Sequence, residues 1–149
     1  MTAEGGLDLM VRGTAVELHV PDFEPIRRYY TKIGFEVVWE RAPEGKKGYL
    51  VLRMGANVLM FWGGNDEIYN QGYFKQYPSS SPRGYGVEIV IMVEGVRSYF
   101  ERVKDFVQVV KPLKEQPWGI VDFRIVDPAG FLLRVTEQYD LLDPQFSVK

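Results

Sequence analysis

The sequence predicts an α+β fold of two βαβββ modules that form a curved mixed sheet, with a concave pocket on one face and the helices on the other. Two observations support this prediction. Each half of the chain has one short stretch with apolar residues at helical spacing. Around that stretch lie four segments rich in β-favouring residues and separated by Gly or Pro turns. The repeat is therefore one of structural pattern rather than of sequence.

We expect a single domain over residues 1–149, because a chain of this length suits one hydrophobic core. Module one covers about 14–62 and the linker about 63–83. Module two covers about 84–138, and a partly apolar C-terminal tail follows at 139–149. The linker is rich in Asn, Gly, Ser and Pro, and we expect it to be irregular apart from one helical turn near its middle.

Module one begins with a predicted strand at 14–20, where apolar residues alternate with others. Asp22 is the predicted N-cap of a helix that Gly34 ends. Three strands should follow, at residues 35–41, 48–54 and 57–62. Module two repeats the order with a strand at 86–93, a helix from Val96 to Val103, and strands at 106–110, 121–126 and 131–137.

Composition excludes several functions. There are 18 basic and 20 acidic residues without a basic run, so nucleic acid is not an expected partner. The absence of cysteine excludes disulfides, thiolate metal sites and a cysteine nucleophile. No apolar run is long enough to span a membrane, and the first thirteen residues lack the apolar core of a signal peptide. We therefore expect a soluble cytoplasmic protein.

Separating odd from even positions along the four clearest strands gives two unlike faces. The aliphatic face should be covered by the helices. It carries Val16, Leu18, Val20, Leu59, Phe61, Val87, Ile89, Ile91, Val93, Leu133 and Val135. The other mixes charged, thioether and aromatic side chains, as a ligand-lining surface does, although a solvated face is the alternative. It carries Ala15, Glu17, His19, Val58, Met60, Trp62, Glu88, Val90, Met92, Leu132, Arg134 and Thr136.

Two turn motifs stand close together in module two. Pro117 and Gly119 bracket Trp118, which should place the indole on a tight bend. Residues 127–130 (DPAG) have the composition of a hairpin turn between the last two strands.

These motifs carry a family resemblance. Residues 20–23 (VPDF) and 30–37 (YTKIGFEV) resemble the first module of the vicinal oxygen chelate superfamily, which includes glyoxalase I, extradiol dioxygenases and bleomycin-resistance proteins. Residues 115–119 (EQPWG) with 127–130 resemble the bleomycin-resistance branch in particular. The general pattern covers residues 14–138. It implies a homodimer that sequesters an antibiotic such as bleomycin, or a related bulky aromatic metabolite, without turnover.

The resemblance also implies where metal-dependent members hold their metal, namely at positions near Ala15, Met60, Glu88 and Arg134. Only Glu88 is a suitable ligand, and arginine repels a divalent cation. We therefore expect neither a metal nor another cofactor.

Two other arrangements of the charged residues stay open. Glu17, His19 and Glu88 would form an unorthodox metal cluster if they met on one face. Glu88 and Arg134 would either pair across the pocket floor or both point at a charged ligand.

The resemblance implies that Trp118 stacks on a planar ligand opposite Tyr49. The alternatives for Trp118 are a buried plug of the core or an anchor of the dimer interface. The expected ligand-binding residues are Trp118, Tyr49, Met60, Trp62, Glu88, Arg134, Glu17 and His19. We expect no catalytic residue. The alternative function is a lyase, isomerase or oxygenase with a rearranged or metal-free site, in which Glu88 is the base. A structural dimer with a vestigial cavity is a third.

Overall fold

The computed structural model describes residues 13–146 and confirms the α+β fold of two βαβββ modules. Residues 1–12 and 147–149, which include the ends of the predicted domain and tail, lie outside the described residues. In the first module the elements are β1 (Leu18–Val20), α1 (Phe23–Lys32), β2 (Glu36–Arg41), β3 (Gly48–Met54) and β4 (Asn57–Gly63). In the second they are β5 (Glu88–Val93), α2 (Val96–Val103), β6 (Gln108–Glu115), β7 (Val121–Val126) and β8 (Leu132–Glu137).

The first helix begins and ends where the sequence predicts. Asp22 has extended backbone angles, and its carboxylate accepts a 2.9 Å hydrogen bond from the backbone N–H of Glu24. Gly34 has φ of 110°, a value that disfavours any residue with a Cβ and stops the helix. Phe23, Ile26 and Tyr30 form the buried side of α1.

Three strands differ from their predicted bounds by two residues or more. The first begins at Leu18 rather than at residue 14, and Val16 is 66% exposed instead of facing the helices. Val87, also assigned to the helix-covered face, precedes β5 and is exposed. The sixth strand runs past Pro112 to Glu115, because it is an edge strand in which a missing N–H breaks no internal ladder. Its register shifts between Lys111 and Lys114.

The linker contains more structure than predicted. It holds 3₁₀ helices at Asp66–Asn70 and Phe74–Gln76, of which only the second was expected. Asn65 caps the first by accepting from the N–H of Glu67, and Ile68 is buried. A third 3₁₀ helix lies at Pro144–Phe146. No helix among residues 13–146 is long and apolar enough to cross a membrane.

The strands form two four-stranded sheets with the orders β1-β4-β3-β2 and β5-β8-β7-β6. In each, the first strand of the module runs parallel to the last. Both helices pack on the aliphatic side, and one continuous core takes buried residues from both modules. The face prediction is thus confirmed for Leu18, Val20, Leu59, Phe61, Ile91, Val93, Leu133 and Val135.

Side chains join the two modules at a seam. Asn57, at the start of β4, donates from Nδ2 to the carbonyl of Met92 (2.8 Å) and accepts at Oδ1 from the Met92 N–H (3.1 Å). One amide side chain therefore pairs with the edge of β5 as a strand residue would. Tyr99 of α2 adds a 2.6 Å hydrogen bond to the carbonyl of Ile33.

Candidate functional site

A row of side chains crosses the open face of the first sheet, meaning the face opposite the helices. His19 of β1 pairs with Trp62 of β4, and Tyr49 of β3 pairs with Trp62 from the other side. Directly paired residues point to the same face of a sheet, so the three rings lie in a row. Glu17 precedes β1 by one residue and reaches the same row, since Tyr49 donates its hydroxyl to Glu17 Oε2.

This His19 cluster, defined as Glu17, His19, Lys47, Tyr49, Trp62 and Phe74, is held by ring contacts. The His19 and Trp62 rings lie 4.4 Å apart between centroids, and the Phe74 ring lies 5.5 Å from His19 between centroids in an edge-to-face arrangement. The ammonium of Lys47 is 4.8 Å from the centre of the Trp62 ring. The cluster thus combines apolar rings with charges of both signs.

His19 is the titratable centre of the cluster. Burial lowers the pKa of its imidazole below the ordinary value; Glu17 opposes that shift, while Arg83 and Lys47 add to it. Its Nε2 lies 3.8 Å from Glu17 Oε1. Its Nδ1 is buried and has no hydrogen-bond partner within the described part of the chain. At neutral pH the ring is therefore uncharged.

The open face of the second sheet carries an ionic network centred on Asp122, which is 1% exposed. Its Oδ2 accepts from Arg134 Nε at 2.8 Å, and its Oδ1 accepts from Gln116 Nε2 at 2.8 Å. Arg134 also donates to the hydroxyl of Tyr139 at 3.2 Å. Burial lowers the pKa of Arg134, but the hydrogen bonds to Asp122 and Tyr139 outweigh it and the net shift is upward.

The sequence-based pairing of Glu88 with Arg134 is wrong. Glu88 binds Arg124 instead, with its Oε2 3.1 Å from Arg124 Nε, because Arg124 on β7 reaches β5 across the intervening strand. Arg134 had a nearer carboxylate in Asp122, on the strand beside its own.

The residues present do not fit a metal. Ala15 is exposed ahead of β1, Met60 offers only a thioether, and Arg134 brings a positive charge. Residues 13–146 contain no group of three or more His, Asp or Glu side chains close enough to hold an ion. The cluster of Glu17 and His19 with Glu88 is therefore not formed, since Glu88 belongs to the other sheet.

Trp118 lies on the turn between β6 and β7 and is 55% exposed, so its interpretation as a buried plug of the core is wrong. The turn is closed by a 2.8 Å hydrogen bond from the Gly119 N–H to the Gln116 carbonyl, with φ of 89° at Gly119. Because the Gln116 side chain binds Asp122, the Asp122 network fixes the turn that carries the indole.

Several residues of these clusters were not predicted from the sequence, namely Gln116, Asp122, Lys47 and Phe74. Asp122 had a signal, because aspartate is disfavoured inside a strand and a partner should be expected for it. The other three, Gln116, Lys47 and Phe74, lie in loops or at the ends of elements. There the sequence has no periodic pattern from which the direction of a side chain could be predicted.

An open cleft of about 1000 Å³ lies elsewhere, at the seam where the β3–β4 turn meets β5 and α2. None of the eight predicted ligand-binding residues lines it. The open faces are the better candidate, because the cleft is the gap left where the two modules abut, and its Asn57 and Tyr99 side chains already form hydrogen bonds within the protein. Its lining includes Lys32, Met54, Asn57, Met92, Tyr99 and Leu141.

Two βαβββ modules on one core define the class as a duplicated α+β protein. The chain belongs to the Glyoxalase/Bleomycin resistance protein/Dioxygenase superfamily, whose sequence profile matches residues 14–135. A search of curated proteins finds no match.

Solved structures show the same fold. TioX from Micromonospora sp. ML1 is 21% identical, with a TM-score of 0.61 over 85% of this chain and 100% of that one. A bleomycin-binding protein complexed with bleomycin is 18% identical, with a TM-score of 0.57 over 87% and 100%. A glyoxalase-related enzyme from Fulvimarina pelagi is 22% identical, with a TM-score of 0.61 over 86% and 89%.

Proposed function

We propose that the protein binds a bulky small molecule, an antibiotic of the bleomycin type or a related aromatic metabolite, and sequesters it without turnover. The observation that carries this proposal is the pairing of Arg134 with buried Asp122. The family resemblance puts Arg134 near the position where the superfamily's metal-dependent enzymes place a ligand. A guanidinium neutralised by an internal carboxylate supplies neither a metal ligand nor a base.

The aromatic side chains supply the binding surface in this proposal. Trp118 is exposed on a turn that hydrogen bonds hold in place, so its indole needs little ordering before a planar ligand stacks on it. Tyr49 and Trp62 offer further rings, and Met60 an adaptable apolar contact. Polar and charged groups at the two faces then orient the ligand: Glu17, His19, Glu88 and Arg134.

We also propose that the protein forms a homodimer. Val16 and Val37 are exposed on the first module and Phe106 and Val110 on the second, which leaves large apolar side chains for a second copy to cover. A cytoplasmic location also belongs to the proposal. The bleomycin complex among the similar structures supports the ligand class only through the shared fold.

A metal-free enzyme is the second candidate, and the His19 cluster favours it. Glu17 lies beside Nε2 of an uncharged His19 and accepts from Tyr49, which places a carboxylate, an imidazole and a phenol in one row. Such groups move protons in general acid–base catalysis. Glu88 is the weaker base, because its carboxylate is paired with Arg124.

Isothermal calorimetry with a bleomycin-type glycopeptide tests the proposal. We expect stoichiometric binding and recovery of the glycopeptide unchanged after long incubation. The absence of heat at tens of micromolar ligand contradicts sequestration of this drug class, and chemical conversion of the glycopeptide favours the enzyme.

A further inference from the structure

Trp62 already has a cation over its ring. The Lys47 ammonium lies 4.8 Å from the ring centre, within the roughly 6 Å over which an indole attracts a positive charge. Lys47 has no carboxylate within 4.0 Å among the described residues, and its ammonium lies over the indole instead. The ring face therefore attracts a cation without help from a direct ion pair.

The surroundings of Trp62 suit a cation from outside as well. Tyr49 and Trp39 place two more rings along the row, 6.2 Å apart between centroids. Glu17, which is bonded to Tyr49, adds a carboxylate at the row's end. Aromatic faces with one nearby carboxylate are the composition by which proteins recognise organic ammonium groups.

The Lys47 ammonium can move away from the Trp62 ring at little cost. It lies in the connection between β2 and β3, directly before Gly48, and carries its charge on a flexible four-carbon stem. Its departure breaks no salt bridge within residues 13–146 and returns a strongly hydrated ammonium to water. The His19 ring, which also packs against Trp62, is uncharged and therefore does not repel an incoming cation.

We propose that Lys47 occupies, in the free protein, a subsite for the cationic group of the ligand. An organic ammonium displaces Lys47, lies on the Trp62 ring and takes Glu17 as its counter-charge. This inference rests on the proposed binding function and names the ligand class as a molecule with an ammonium group beside its aromatic part.

Choline and its neutral isostere 3,3-dimethylbutan-1-ol are the probes for the test, titrated at constant ionic strength. The reporter protein carries Trp39→Phe and Trp118→Phe, so that Trp62 is the sole source of indole emission. We expect choline to change the Trp62 emission saturably and the isostere to change it without saturation. Equal saturable responses to both probes overturn the proposal, because the subsite then recognises shape rather than charge.

Single variants of the reporter locate the subsite. Lys47→Ala should tighten choline binding about threefold by removing the internal competitor, and Glu17→Gln should weaken it about threefold. Lys46→Ala makes the same change of charge one residue away, and we expect it to leave the choline affinity as in the reporter. If the Lys46 and Lys47 variants behave alike, or if choline gives no saturable change in Lys47→Ala, the proposal is wrong.

The choline titration is independent of the glycopeptide experiment, because Trp118 is already replaced in the reporter. A negative glycopeptide result with a positive choline result removes the drug class and keeps the subsite. The converse result keeps sequestration and removes the subsite. Far-ultraviolet circular dichroism of each variant confirms that the fold is retained.

Discussion

The hydroxyl of Tyr30 on α1 donates a 2.7 Å hydrogen bond to the carboxylate of Asp127, which is 97 positions along the chain in the β7–β8 turn. Asp127 also accepts from the backbone N–H groups of Ala129 and Phe131, each at 2.9 Å. One carboxylate therefore closes the hairpin turn of the second module and anchors the helix of the first. Both Tyr30 and Asp127 are buried.

Tyr30→Phe should destabilise the protein by about 1 to 3 kcal/mol, because a buried acceptor loses its donor. Burial raises the pKa of Asp127, and the Tyr30 hydrogen bond opposes that rise. Loss of the bond raises the folded-state pKa further, so the variant's deficit grows as pH rises through that pKa and is smallest in acid. Urea unfolding at about pH 4 and about pH 7 measures the difference.

The matched control is Tyr85→Phe, which removes the hydroxyl of a tyrosine that is 90% exposed. We expect a change within about 0.5 kcal/mol for this control. A Tyr30→Phe deficit that is equal at both pH values contradicts the role given to the ionised carboxylate.

Asn57→Ala should cost about 1 to 3 kcal/mol, since the N–H and carbonyl of Met92 on β5 lose their partner together. Denaturant unfolding checks this value. Asn70→Ala is the control, because the Asn70 side-chain amide donates a hydrogen bond to Glu67 on the protein surface, far from the seam between the modules. Similar losses for both variants would show that the seam does not depend on Asn57.

Asp122→Ala should destabilise by about 3 kcal/mol, because it leaves Arg134 largely buried without its carboxylate. Adding Arg134→Met removes that uncompensated charge, so the double variant should be more stable than Asp122→Ala alone. Thermal unfolding of the single and double variants measures this difference in stability. Additive losses would mean that the two side chains do not act as a pair.

Trp118→Ala should weaken binding of a glycopeptide ligand at least tenfold and change stability by less than about 0.5 kcal/mol, since the exposed indole adds little to the core. Calorimetry gives the affinity and thermal unfolding gives the stability. Tyr85→Ala, another exposed aromatic residue, should leave the affinity as in the parent. An unchanged affinity in Trp118→Ala assigns the indole to another role.

Zn²⁺, Mn²⁺ or Fe²⁺ should not raise the unfolding temperature of the chelator-treated protein, because binding stabilises only a chain that offers ligands. Differential scanning fluorimetry with and without EDTA measures this. Elemental analysis of protein purified without chelator provides the second readout. Stoichiometric bound metal would overturn the metal-free interpretation.

The sequence was enough for the modules and for most of the face assignments, because alternation in a strand is local and visible. Leu18 and Val20 face the core and His19 does not, as the period of two requires. The N-cap at Asp22 and the turn at 127–130 were equally local.

The side-chain ion pairs between neighbouring strands join residues far apart in the sequence, and they were not predicted. Glu88 and Arg134 each had a carboxylate or guanidinium within reach, and the choice of partner depended on strand order, which residue patterns do not encode. The exposure of Trp118 depended on whether any element covers the β6–β7 turn. The premature start of the predicted first strand has the same cause, since residues 14–17 alternate but find no neighbour.

Side chains such as the Asn57 amide, rather than paired strands, join the two sheets, and the chain can therefore be divided between the modules. No strand of one sheet pairs with a strand of the other in the described residues, so a cut in the exposed serines at 79–81 interrupts no ladder. Each fragment keeps a complete sheet with its helix but presents the bare half of a shared core to water. Two such fragments made separately should associate, because association buries the shared core again. The protein is therefore suited to use as a split pair.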